Sequence, residues 1–160
     1  MLLAAAVLAA CERGSGTGDA PADSASDSVG AAAVAAAPGD SAGCPETGLW
    51  RECNLIQRLE RSGYVVIDSG EVVRAFLSVS GRRYQLGREQ LEVYFYPSAA
   101  ARERDLRAID SARVAPPGDS VVWPATPTLI VSNNLAAILI GGSPRQVERV
   151  SNSIRAGLPR

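Results

Sequence analysis

Three cysteines, Cys11, Cys44 and Cys53, are the soft nucleophiles of this 160-residue chain, and no histidine or lysine is present to activate them. All sixteen basic residues are arginine. Histidine is the common general base near neutral pH, and lysine the common Schiff-base or phosphate-loop amine. Arginine stays protonated, so it can clamp an anion but cannot shuttle a proton. A Ser/His/Asp set is thereby excluded, as is an SxxK nucleophile. The remaining candidates for acid–base work are the carboxylate pairs Asp68/Glu71 and Glu89/Glu92. Both fall near expected turns, where acids are common, so no catalytic residue is assigned. A metal would need clustered carboxylates, and none is visible, so no metal or other cofactor is expected.

Three further features have a binding reading and a plainer one. Gly141-Gly-Ser-Pro-Arg-Gln146 stands at a strand-to-helix junction, where a helix N-terminus and Arg145 could hold an anion. Turn glycines, a serine cap and a first-turn proline explain the same residues without a ligand, and that reading is preferred. Tyr94, Tyr96 and Trp123 are the candidate binding surface, joined by Trp50, since aromatics dominate interface hot spots. Packing beneath a helix is the preferred alternative for them. Arg102, Arg104 and Arg107, interleaved with Glu103, Asp105 and Asp110, read as a solvated helix face.

The run Met1–Ala10 is wholly apolar and, as helix, spans about 15 Å, half a bilayer core. Leu8, Ala9 and Ala10 ahead of Cys11 resemble the lipobox of bacterial lipoprotein signals. The resemblance implies a diacylglyceryl group on the Cys11 thiol and cleavage that leaves Cys11 as the mature N-terminus. It makes residues 1–10 a signal peptide and the cell envelope the address. Glu12, rather than Asp, after the cysteine then implies outer-membrane sorting in a cell that has one. No basic residue precedes the apolar run, which is expected if the true start lies upstream.

The chain's net charge of −1 divides into −4 over residues 12–43 and +3 over residues 44–160. Neither part has the basic stripe of a nucleic-acid binder. Residues 11–43 are dominated by Gly, Ala, Ser, Asp and Pro, with too few large hydrophobes to offset the entropy of ordering. They read as a disordered tether behind the lipidated cysteine. Cys44 and Cys53 remain. In an oxidising compartment they are expected to form a disulfide, the alternative being two reduced buried thiols.

Residues 44–160 carry the folded domain. Leu49, Cys53, Ile56 and Leu59 recur at helical spacing ahead of Gly63, which predicts a helix over 48–62. Extended stretches are expected at 64–67 and 72–79, separated by an Asp68-Ser-Gly70 turn. In 83–86 and 91–96, alternation puts Tyr84, Leu86, Leu91, Val93 and Phe95 on one face and Gln85, Glu92, Tyr94 and Tyr96 on the other. Ser98 caps a second helix over 99–111. A short strand is expected at 121–123, then a hairpin of 128–132 and 135–140 about Asn133-Asn134, both strands central. Ser143 and Gln146 open a last helix that Gly157 ends. The predicted fold is α+β, a largely antiparallel sheet with about three helices in the order α-β-β-β-α-β-β-β-α.

AFLSVSG, LEVYFYPS, VVWPATP and LAAILIGG, in that order over residues 49–156, resemble the C-terminal domains of a group of small bacterial lipoproteins of uncharacterised function. The resemblance implies no activity and no site residues. The expectation is a non-catalytic, lipid-anchored envelope protein, held to the membrane through Cys11 and presenting its domain to a protein partner or an envelope polymer. A small-ligand-binding module is the second reading, and a weak carboxylate hydrolase the third.

Overall fold

The computed structural model describes residues 44–159, so Cys11, the leader and the tether lie outside the described residues. The chain runs α1 (Glu52–Arg61), β1 (Ile67–Val72), β2 (Gly81–Leu86), β3 (Glu89–Phe95), α2 (Ala99–Leu106), β4 (Pro127–Ser132), β5 (Leu135–Ile140) and α3 (Pro144–Arg155). Among the described residues this is an α+β fold of three helices and one antiparallel five-stranded sheet, ordered β1-β2-β3-β5-β4. No helix among them is long and apolar enough to cross a membrane.

The helix ends follow their local chemistry. Gly63, at φ +83°, closes α1: its N–H donates to Glu60 O and that of Tyr64 to Leu59 O. This is the paired Schellman arrangement, and it aims Tyr64 back at the core. Ser98 Oγ accepts from Ala101 N at the start of α2. At α3, Ser143 and Gln146 exchange hydrogen bonds as a capping box. Two ends depart from expectation: α2 stops at Leu106 rather than residue 111, and α1 starts at Glu52 rather than residue 48. Asn133 donates to Gly48 O, and Asn134 exchanges bonds with Trp50, which holds the lead-in off the helical path.

Several stretches differ from their sequence reading, and residues 64–66, expected within a strand, precede β1 instead. Asp68-Ser-Gly70 does not turn the chain; it is a bulge within β1, where Asp68 Oδ1 accepts from Gly70 N. Asx chemistry and a left-handed glycine serve a bulge as readily as a hairpin. Residues 73–80 form a turn-rich loop that sends Phe76, Leu77 and Val79 over the sheet. Val121-Val-Trp123 joins no strand. β4, expected to be central, is an edge strand, whereas β5 is central and buried at all six positions.

Alternation along β3 and β5 builds a core on each face. Tyr84, Leu86, Leu91, Val93, Leu135, Ala137 and Leu139 pack beneath Leu55 and Leu59 of α1 and Val150 and Ile154 of α3. On the other face Tyr94, Tyr96, Ala136, Ile138 and Ile140 lie beneath α2, Leu77 and Val114. Each fully buried Leu or Ile contributes about 1.5–3 kcal/mol. Gly81 marks the tightest approach: a Cβ there would stand 2.6 Å from Val93 O and 2.6 Å from the Tyr94 ring. Gly81→Ala is therefore expected to destabilise the domain by about 1–3 kcal/mol in urea unfolding. An unchanged midpoint would mean that β2 and β3 separate at that point without cost.

Candidate functional site

Two clusters of chemistry-bearing side chains stand out, one sealed and one open. The sealed one centres on Glu92, fully buried in β3. Arg74 binds it in a fork, Nε to Oε2 at 2.9 Å and Nη2 to Oε1 at 2.5 Å. Arg83 Nη2 donates to Oε1 at 3.0 Å and Tyr94 Oη to Oε2 at 2.9 Å. Trp123 lies over the Arg74 guanidinium, 4.3 Å to the ring centroid, and its Nε1 donates to Arg113 O. Burial pushes the Glu92 carboxyl up, but the hydrogen bonds from Arg74 and Tyr94 and the Arg74 charge outweigh it. The net result is a pKa below the ordinary glutamate range. Burial first, then Glu92, raises the Tyr94 hydroxyl. With four hydrogen bonds accepted and its proton held off, Glu92 is built to join segments rather than to exchange protons.

Three other carboxylates, Glu89, Asp68 and Asp105, are committed in similar ways. Glu89 faces the opposite side of β3 from Glu92, so the two do not form a pair; it accepts from Gln146 Nε2 at 2.7 Å. Asp68 is held by Arg82 and by Gly70 N–H, and hydrogen bonding to Arg82 leads the causes that lower its pKa. Asp105 accepts from Ser78 N, Ser78 Oγ and Tyr96 Oη, tying α2 to the loop before β2.

Several expected site residues take structural places. Tyr94 and Tyr96, expected with Trp123 to form a binding surface, are buried beneath α2 and the loops, and only Trp123 stays half-exposed. The shared face offers no exposed aromatic patch because the 73–80 and 107–126 segments cover it. Arg102, expected to be solvated, is buried and donates to Asn133 O and Glu103, while Arg104 and Arg107 are exposed. The Gly141–Gln146 junction is satisfied by its own capping box, with Glu89 beside it. Cys44 and Cys53 stand within hydrogen-bonding reach as free thiols; burial, then Cys53, pushes the Cys44 thiol up. Among the described residues no group of three or more Cys, Asp or Glu could hold a metal ion.

The open cluster lies on the outer side of α1 and α3, in a cleft of about 420 Å³. Arg145, Arg149 and Asn152 reach it from one face of α3, at spacings of four and three, and Arg58 from α1. Arg58 sits over Trp50, 5.3 Å to the centroid, and its Nη1 donates to Ser153 O and Ala156 O. Arg149 sits over Tyr64, 4.4 Å to the centroid, with Nε donating to Tyr64 Oη. None of these three arginines forms an ion pair among the described residues, and Glu148 is the one carboxylate lining the cleft. A second cavity of about 1010 Å³ adjoins it, sharing Arg58 and Ala156 and lined also by Glu46, Asn54, Gln57 and Arg61. Sequence reading singled out Arg145 alone of this set. The i, i+4, i+7 spacing of Arg145, Arg149 and Asn152 was the available signal, while Arg58 and the aromatic partners come from distant elements. No protein-family model matches the chain, and no curated protein and no solved structure matches it either.

Proposed function

We propose that the chain is a non-catalytic, lipid-anchored protein of the bacterial cell envelope whose domain binds a protein partner or an envelope polymer. The observation that carries the binding reading is the contrast between the two clusters. Glu92 is saturated by internal partners, whereas Arg58, Arg145 and Arg149 face an open cleft without a countercharge other than Glu148. The anchor rests on the Leu8-Ala-Ala-Cys11 pattern, and the outer membrane on Glu12. A small-ligand-binding module is the second reading, favoured by the size of the two adjoining cavities.

Metabolic labelling with palmitate followed by membrane fractionation tests the anchor. The wild-type chain is expected to label and sediment with membranes, and Cys11→Ser to do neither. Sedimentation of Cys11→Ser at the wild-type level would overturn it.

Export also sets the state of Cys44 and Cys53. In the envelope the pair loses two electrons and two protons to a disulfide-bearing oxidant and becomes a disulfide. Closing that ten-residue loop stabilises the domain by about 2.5 kcal/mol in the chain-entropy model. Thiol titration of exported protein, denatured but not reduced, is expected to find neither group free, and urea unfolding to shift down on reduction. Two titratable thiols per chain would contradict the assignment.

A further inference from the structure

We infer that the joined cavities over α1 and α3 bind an acidic saccharide, a sugar unit carrying a phosphate or carboxylate group. The inference deepens the binding-module reading and rests on it. Its first support is the state of the arginines. Arg58 and Arg149 are held by stacking on Trp50 and Tyr64, and each spends only one nitrogen on protein acceptors. The remaining guanidinium N–H groups are a planar fork suited to an oxyanion, and the ordering of the side chains is already met by the fold. Arg145, exposed at the head of α3, adds a third cation and Arg61 of the adjoining cavity a fourth, against Glu148 and Glu46.

The second support is independent of charge. Asn54 lines the adjoining cavity, is only 8% exposed, and has an Oδ1 with no donor. A buried amide oxygen without a donor is costly, and a hydroxyl would satisfy it. A bare anion answers the arginines but not Asn54, and a neutral sugar answers Asn54 but not the arginines. A planar base or aromatic ligand would want the Trp50 and Tyr64 faces, which Arg58 and Arg149 already occupy. A polyhydroxy compound with one acidic group meets both requirements.

The test is calorimetric titration of the full chain bearing Cys11→Ser, in a non-ionic detergent that carries no sugar. The probes are glucose 6-phosphate, glucuronate, inorganic phosphate, glucose, and glycerol phosphate as the stand-in for a lipid headgroup. Glucose 6-phosphate and glucuronate are expected to bind about tenfold more tightly than the other three, since only they engage both cavities. Arg145→Gln is expected to weaken them about fivefold with no change in the unfolding midpoint. Asn54→Ala is expected to narrow the advantage of glucose 6-phosphate over inorganic phosphate while leaving phosphate binding unaltered. Equal binding of inorganic phosphate and glucose 6-phosphate overturns the saccharide assignment, as does a preference for glycerol phosphate. No binding of any probe, or wild-type affinity in Arg145→Gln, overturns the site. Those failures leave the wider binding reading standing if a partner is still recovered from membranes.

Discussion

Glu92→Gln is expected to destabilise the domain by about 3 kcal/mol, at the lower end of the range for breaking a buried ion pair. The carboxylate itself is fully buried, but the side chains of Arg74 and Arg83 keep 22% and 35% exposure, so water partly replaces their lost partner. The same substitution carries a pH signature. Glu92 has a folded-state pKa below its unfolded value. Its stabilisation is therefore fully present above the unfolded glutamate pKa and is lost as pH falls through the lower folded value. The gap between wild type and Glu92→Gln, read from urea unfolding, should be widest near neutrality. It should close as pH drops below about 4. A loss under about 1 kcal/mol, or a gap that does not change with pH, would mean that Glu92 is not an ionised hub joining the 73–80 loop to β2 and β3.

Asn134→Ala is expected to cost about as much, roughly 3 kcal/mol. Asn134 is 3% exposed and makes three long-range hydrogen bonds. Its Oδ1 accepts from Trp50 N at 2.7 Å, and its Nδ2 donates to Trp50 O at 3.1 Å and to Tyr96 O at 2.9 Å. Alanine orphans one buried N–H and strips a donor from two carbonyls. Trp50 should then loosen, shifting its emission to the red, while the half-exposed Trp123 supplies a constant background. Asn134→Asp keeps the acceptor but sets a charge against two carbonyl oxygens, so it should be the more damaging change. Unfolding midpoints for both variants within about 0.5 kcal/mol of wild type would remove Asn134 from the frame of the fold.

These two residues show where sequence reading reaches and where it stops. Asn133-Asn134 was legible as a hairpin turn because asparagine tolerates positive φ, yet only Asn133 uses that freedom, at φ 46°. Asn134 bonds a tryptophan 84 residues away, which no local rule can see. The caps at Ser98, Ser143 and Gly63 were legible because their partners lie within a few residues. So was the division of faces along β3, which pleating dictates. Asp68-Ser-Gly70 misled because bulges and hairpins share residue chemistry, and Val121-Val-Trp123 because β-branched and aromatic residues suit a covering loop as well as a strand. Glu92 was visible as an acid on the face of Tyr94, but its arginines come from a loop and a neighbouring strand. The open cleft was least legible. Its arginines come from α1 and α3: Arg149 is held by the Tyr64 ring, 85 residues away, and Arg58 by nearby Trp50 and by carbonyls at the end of α3.

We propose that a domain with pre-positioned arginines, unpaired among the described residues, in a cleft over one face of its sheet, and a fully paired carboxylate on the other face, holds a partner. Cross-linked recovery of the full-length protein from the cells that make it tests this most directly. Wild type and Arg145→Gln are compared at equal abundance. The account predicts one reproducible envelope component captured by wild type and sharply depleted with Arg145→Gln. Recovery of no reproducible component by wild type, or capture undiminished by the substitution, would contradict it.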